Sequence, residues 1–194
     1  MTREEFDATA DALATRARKG DADAFDDLCR LLRDDVWRYC YALLRDREQA
    51  FDASQDTFLR CVRAIPKWRG DAPVRVFVLV LARRAVADLI RSEQRRRRIA
   101  DVAVEPVVAV PQQTGTIEVT ELINQLAEDQ RQAFVLTQVI GLPYEDAADV
   151  EGVAVGTIRS RVFRARERLA DAIAAAEAAA GADRTTTDDS QERT

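Results

Sequence analysis

The chain has 194 residues, 47% of them hydrophobic and 32% charged, with a net charge of −5 and no histidine. That length suits one or two small domains, the absence of His excludes serine-triad and His general-base chemistry, and no apolar run nears the ~20 residues of a membrane-spanning helix. Helix formers dominate beside 7 Gly and 5 Pro, so an all-α fold of two small helical domains is expected.

The N-terminus is acidic and polar, without the pattern of a signal peptide, so a cytoplasmic location is expected. Residues 1–19 read as a helix, an N-terminal extension covering 1–20. Asp21 is placed to cap a helix to about Leu44, with Phe25, Leu28, Leu32, Val36, Tyr39 and Leu43 as its apolar stripe. A third helix runs from Arg47 to Ile65 and stops at Pro66. A loop follows over residues 67–73. A long helix then starts near Val74 and continues to about Arg98, apolar nearly all round as far as Ala82. These elements form a first domain over 21–98. Residues 99–116 hold Pro106, Pro111 and Gly115 without a helical stripe, and read as a partly extended interdomain linker. Their apolar character fits a groove on a partner. A second domain over 117–180 has helices near 117–127, 129–140, 144–151 and 155–178. Gly181 is expected to end the last one, and 181–194 to be a disordered tail.

Cys29, Cys40 and Cys61 lack metal-ligand spacing and read as small core residues. No Gly-rich nucleotide loop is present. No metal or cofactor is expected.

Charge is unevenly distributed. Residues 83–98 hold seven Arg against Asp88 and Glu93, a local +5. Residues 156–168 hold five Arg against Glu167, a local +4. Two basic patches on an otherwise acidic chain are the footprint of local DNA contact.

The second patch separates by face. At roughly 100° per residue, Ile158, Val162, Ala165 and Leu169 share one stripe of a helix. Arg159, Ser160, Phe163 and Arg164 lie opposite, and Arg161, Arg166 and Arg168 on the flanks. Guanidinium forks, a hydroxyl and an aromatic edge are the groups that read base edges and phosphates in a major groove. Upstream, Pro143 and Tyr144 open a short helix, Glu145 and Asp146 sit at its positive end, and Gly152 marks its stop. A short helix, a Gly turn and a basic helix make a helix-turn-helix.

The first domain presents two further surfaces. On the helix through 48–65, Phe51, Phe58, Val62 and Ile65 share one side, and Asp52, Gln55, Asp56 and Leu59 the other. An exposed Leu among carboxylates and an amide fits a protein-docking face; a solvated face with one stray Leu gives the same pattern. On the long helix, Arg83, Arg84, Ala87, Arg91 and Gln94 group outward. The loop before it sets Trp68 between Lys67 and Arg69. That trio suits unstacked single-stranded DNA, and Trp68 suits equally a core anchor closing the loop.

Over residues 21–172 these pieces resemble the extracytoplasmic-function (ECF) sub-family of bacterial sigma-70 factors. Asp52-Ala53-Ser54-Gln55-Asp56-Thr57-Phe58-Leu59 is similar to that family's polymerase-clamp-binding helix. Residues 77–91, with Arg83, Arg84 and Arg91, resemble its −10 recognition region. Residues 142–168, with the core Gly156-Thr157-Ile158-Arg159-Ser160-Arg161, resemble its −35-reading helix-turn-helix. The chain departs from the family at Ala53, where Leu is usual, at Phe77 for Trp, and at Glu151 for Leu in the turn, which must then point to solvent.

The resemblance implies a transcription-initiation factor, not an enzyme. Asp52, Gln55, Asp56 and Leu59 would bind the β′ clamp helices of core RNA polymerase. Lys67, Trp68, Arg69, Arg83, Arg84 and Arg91 would engage the −10 element, the 67–72 loop taking a flipped non-template base. The linker would run toward the polymerase cleft. Arg159, Ser160, Phe163 and Arg164 would enter the −35 major groove, with Arg161 and Arg166 on phosphate, and the same domain would touch the β flap. An anti-sigma factor is a further partner the resemblance leaves open, and no membrane is involved. The rival reading is a stand-alone helix-turn-helix regulator, which would bind duplex DNA without polymerase. The strand pattern of a receiver domain is absent upstream, and an all-α enzyme finds no clustered catalytic set.

Overall fold

The computed structural model describes residues 2–100 and 119–188, with side chains over 2–96 and 120–177. The helices are α1 (Arg3–Ala17), α2 (Ala22–Leu44), α3 (Arg47–Ala64), α4 (Val74–Ala100), α5 (Val119–Asn124), α6 (Glu128–Phe134), α7 (Tyr144–Glu151) and α8 (Val155–Asp188). A 3-10 turn over Ile65–Lys67 follows α3, and a π turn over Val135–Val139 prolongs α6. No strand occurs among the described residues.

Local chemistry starts these helices. Thr2 and Glu5 close a reciprocal capping box on α1. Asp21 and Asp46 accept from the Ala24 and Gln49 amides and cap α2 and α3, each at 3.0 Å. α4 is capped from a distance: the Val74 amide donates to Asp11 Oδ1 of α1 at 2.7 Å. The N-terminal extension is therefore an integral part of the first unit, packed on α2 and α4. Arg45 ends α2 in the left-handed region at φ 55°, unusual for a side chain with a Cβ.

Leu28, Leu32, Val36 and Tyr39 of α2 meet Val74, Val78, Leu79 and Ala82 of α4 in the first core. Leu136, Leu142, Ala147, Ile158 and Val162 make the second. Both belong to one continuous buried cluster. α7 packs on α4, and α6 with its π turn on α2. Polar bonds cross the same boundary. Arg131 Nε donates to the Ala42 carbonyl at 2.7 Å, and Asn124 Nδ2 to Tyr41 Oη at 3.2 Å.

The linker expected over 99–116 falls almost wholly outside the described residues, α4 continuing to Ala100. Gly181 does not end the last helix; α8 runs through it to Asp188. The isolated Gly lowers helix propensity by about 1 kcal/mol, too little to break a long alanine-rich helix. Residues 189–194 of the expected tail lie outside the described residues.

Candidate nucleic-acid interface

The helix-turn-helix forms as its sequence dictates. Gly152 takes φ 66° after α7, a left-handed conformation that favours glycine, and the Val153 amide closes onto the Ala148 carbonyl at 3.1 Å. Ile158, Val162 and Ala165 of α8 are buried. Arg159, Ser160, Phe163 and Arg164 are exposed together on the outer side. The arginines fall into two groups. Arg159 only approaches Glu145, at 3.7 Å in the open, and Arg164 Nε rests on the Ser160 carbonyl at 3.2 Å. Arg161 is tied to Asp129 at 3.2 Å, and Arg166 to Gln138 Oε1 at 2.6 Å. The first pair makes no close contact with another side chain, whereas the second is tied to Asp129 and Gln138 along the helix flank.

The 67–73 loop is closed by bonds to its aromatic residue. The Trp68 residue is 7% exposed. Its Nε1 donates to the Ala72 carbonyl at 3.1 Å, and its own carbonyl accepts from Arg18 Nη1 at 3.0 Å. Both bonds fold the loop around the residue, so Trp68 anchors the loop and also lines the hollow that opens there. Beside it opens a hollow of about 370 Å³, walled by Lys67, Arg69, Phe77, Leu81 and Arg84, with Asp149 of α7 at its rim. Phe77 lines this hollow, half-buried. Arg91 is paired with Asp88, which also accepts from Arg60 Nη1 at 2.7 Å. Hydrogen bonds from Arg91 and Arg60 hold the Asp88 carboxyl below its usual range. Arg97 and Arg98, the end of the basic run, lie outside the described side chains.

On α3 the small residues Ala50, Ala53, Ser54, Thr57 and Cys61 face inward. That row turns Phe51, Leu59 and Val62 outward, at 55%, 69% and 55% exposure, with Asp52 and Gln55 among them. Phe51 and Val62, grouped with Phe58 and Ile65 in the sequence, are thus exposed, and the small residues form the face of α3 that packs inward. The signal was the run of small residues at helical spacing. A groove of about 670 Å³ between α2 and α3 continues this surface past Trp37, Phe51 and Phe58. Asp56 is bound to Arg60 at 2.7 Å.

Buried ionic groups, Arg75 and Glu151 among them, escaped the sequence reading. Arg75, 6% exposed on the otherwise apolar start of α4, donates to Asp35 at 2.8 Å and lies 4.6 Å from the Phe6 ring centre. Glu151 does not point to solvent. It is 3% exposed, accepts from Tyr39 Oη at 2.5 Å and approaches Arg83 at 3.8 Å. The surface of α4 covers the turn, and Tyr39 supplies the donor that a buried carboxylate requires.

Comparison with known proteins adds two family matches, "Sigma-70 region 2" over residues 28–96 and "Sigma-70, region 4" over residues 116–169. The chain is 42% identical over 168 residues to the "ECF RNA polymerase sigma factor SigC" of Mycobacterium tuberculosis, covering 84% of this chain and 90% of that one. It is 31% identical to the "RNA polymerase sigma-H factor" of Pseudomonas aeruginosa, covering 83% and 92%. Among solved structures it resembles the sigma factor RpoE of Bartonella quintana in complex with the anti-sigma factor NepR. That likeness has a TM-score of 0.63 at 29% identity, over 76% of this chain and 94% of that one.

Proposed function

Because the chain belongs to the ECF sub-family of sigma-70 factors, we propose that its two helical units divide promoter recognition in the way their exposed chemistry suggests. As a sigma factor it binds core RNA polymerase and directs initiation at promoters. The reading adds which residues do so. α8 presents Arg159, Ser160, Phe163 and Arg164 to the base edges of the −35 element, while Arg161 and Arg166 meet phosphate. The hollow beside Trp68 takes an unstacked base of the −10 element. Lys67, Arg69 and Arg84 neutralise its phosphates, while Arg83 and Arg91 extend the basic face along α4. Melting is then favoured by capture of the displaced strand, and no hydrolysis is required of this chain.

Core polymerase docks on the outer face of α3. Asp52 and Gln55 supply directional contacts, Leu59 with Phe51 and Val62 the apolar area, and Asp56 with Arg60 a rim. A hydrophobic centre with polar edges is the anatomy of a specific protein interface. The same face suits an anti-sigma factor, the partner present with the RpoE relative.

The observation that carries this reading is the union of a base-sized hollow on α4 and an open helix-turn-helix face on α8 in one chain. In-vitro transcription with core polymerase on a library of promoters tests it. Transcripts that depend on this chain are expected. Duplex binding by the chain alone, with no effect of polymerase, would favour the stand-alone regulator.

A further inference from the structure

The helix α4 begins on a proline. The Pro73 carbonyl accepts from the Phe77 amide at 3.2 Å, which puts Pro73 at the N-cap position. Its ring carries no acceptor for the free amides of the first turn. The acceptor comes from another helix: Asp11 Oδ1 of α1 takes the Val74 amide at 2.7 Å, across 63 residues of chain. Further along α1, Arg18 Nη1 donates to the Trp68 carbonyl at 3.0 Å. Arg18 is the C-cap of α1 and still helical at φ −58°. Positions seven apart share one face of a helix and stand about 10 Å from each other. Ala10 and Ala14, fully buried, seat α1 on its neighbours α2 and α4. The chain from Trp68 to Val74 is thus tied to α1 at both ends. Lys67 and Arg69 flank the anchored Trp68 and are exposed. α1 precedes both family matches, which begin at residues 28 and 116.

We propose that α1 is the positioning element of the loop that takes the −10 base, with Asp11 and Arg18 as its positioning residues. Asp11 fixes where α4 starts, and so the height of Phe77, Leu81 and Arg84, which wall the hollow. Arg18 fixes the Trp68 carbonyl, and with it the backbone from which Lys67 and Arg69 project. Asp11 and Arg18 lie outside the wall of the hollow and act through the loop. A loop held at both ends gives up less conformational freedom when it takes a base. A rim held by such supports also keeps the geometry that separates one base from another. The role in promoter reading rests on the assignment of the hollow to the −10 element; the clamp on the loop does not.

The test uses the full-length chain and two measurements on Asp11→Ala/Arg18→Ala. The first is acrylamide quenching of Trp68 emission, with the other tryptophan removed as Trp37→Phe. Quenching is expected to rise severalfold in the double variant, with helix content by circular dichroism unchanged. The second uses holoenzyme with Trp37 intact, on forked promoter DNA whose −10 non-template strand is unpaired and substituted base by base. The double variant is expected to bind the preferred fork severalfold more weakly and to lose most of its preference among bases. Core capture and binding of duplex −35 DNA are expected to stay unchanged. Asp11→Asn keeps the Oδ1 acceptor and is expected to behave as wild type in both measurements. Quenching or base preference unchanged in a folded double variant overturns the positioning role. So does a loss that extends equally to core capture and −35 binding, which marks general destabilisation. Lys67→Ala and Arg69→Ala on the same forks check the reading beneath: if these also leave fork binding unchanged, it is the assignment of the hollow that fails. Should the double variant not fold, Arg18→Ala, at an exposed position, decides by the same two measurements.

Discussion

Arg75 of α4 donates to the Ile140 carbonyl at 2.6 Å, and through this bond a cation of sigma region 2 closes the end of a helix in sigma region 4. The same guanidinium holds Asp35 at 2.7 Å and reaches Asp7 at 3.4 Å. Burial pushes the Asp35 carboxyl above its ordinary range, and Arg75 offsets only part of that rise. Removing one member of a buried pair leaves the other charged and unpaired, which costs ~3–5 kcal/mol. Arg75→Ala is expected to lose about that much in urea unfolding, and Arg75→Lys less. An unchanged midpoint in Arg75→Ala would mean that water replaces the guanidinium.

Arg159→Ala and Arg164→Ala are each expected to weaken −35 binding by the holoenzyme by ~1–3 kcal/mol and to relax base preference at one position. Arg161→Ala and Arg166→Ala are expected to weaken all sequences alike and to reduce the salt slope by about 1. Gel shifts over a salt series separate the two classes. Equal behaviour of all four would remove the division between base and phosphate contacts.

On α3, Asp52→Arg is expected to abolish capture by core polymerase without changing helix content. Asp52 is exposed, so the substitution disturbs no core packing. Leu59→Ala and Phe51→Ala are each expected to cost more than ~1 kcal/mol if they sit at the centre of the interface. Retained capture by Asp52→Arg would place the dock elsewhere.

The thiols give a pH dependence. Burial pushes Cys40 to about 11 and Cys61 to about 12, from an ordinary 9.0. Cys29, half-buried near Asp26, rises to about 11. A folded pKa above the unfolded one means the native state favours the protonated thiol. That stability is complete below pH ~9 and is lost as pH climbs through the folded values. Urea midpoints are expected to fall between pH 9 and 11, and a thiol reagent at pH 8 to reach Cys40 and Cys61 only on unfolding. Rapid labelling of both in the folded chain would contradict their burial.

Much of the molecule was legible along the chain. The stripe of Ile158, Val162 and Ala165, the Gly152 turn and the Asp21 cap are local signals, because a helix repeats within a few residues. From them follow the all-α class, the two units and the open face of α8. The resemblance carried by residues 52–59 and 156–161 added the family.

What the sequence could not display are pairings without a period. Tyr39 and Glu151 lie 112 residues apart, and nothing near either foretells the other. The exposure of Phe51 and Val62 depended on which face of α3 packs inward, and the anchoring of Trp68 on a bond to Ala72. Sequence alone determined which faces exist, since amphipathicity is set by neighbours three and four residues away. Only the tertiary structure decided which of those faces are covered. Burial of a carboxylate or a guanidinium is tolerated only where a distant partner satisfies it.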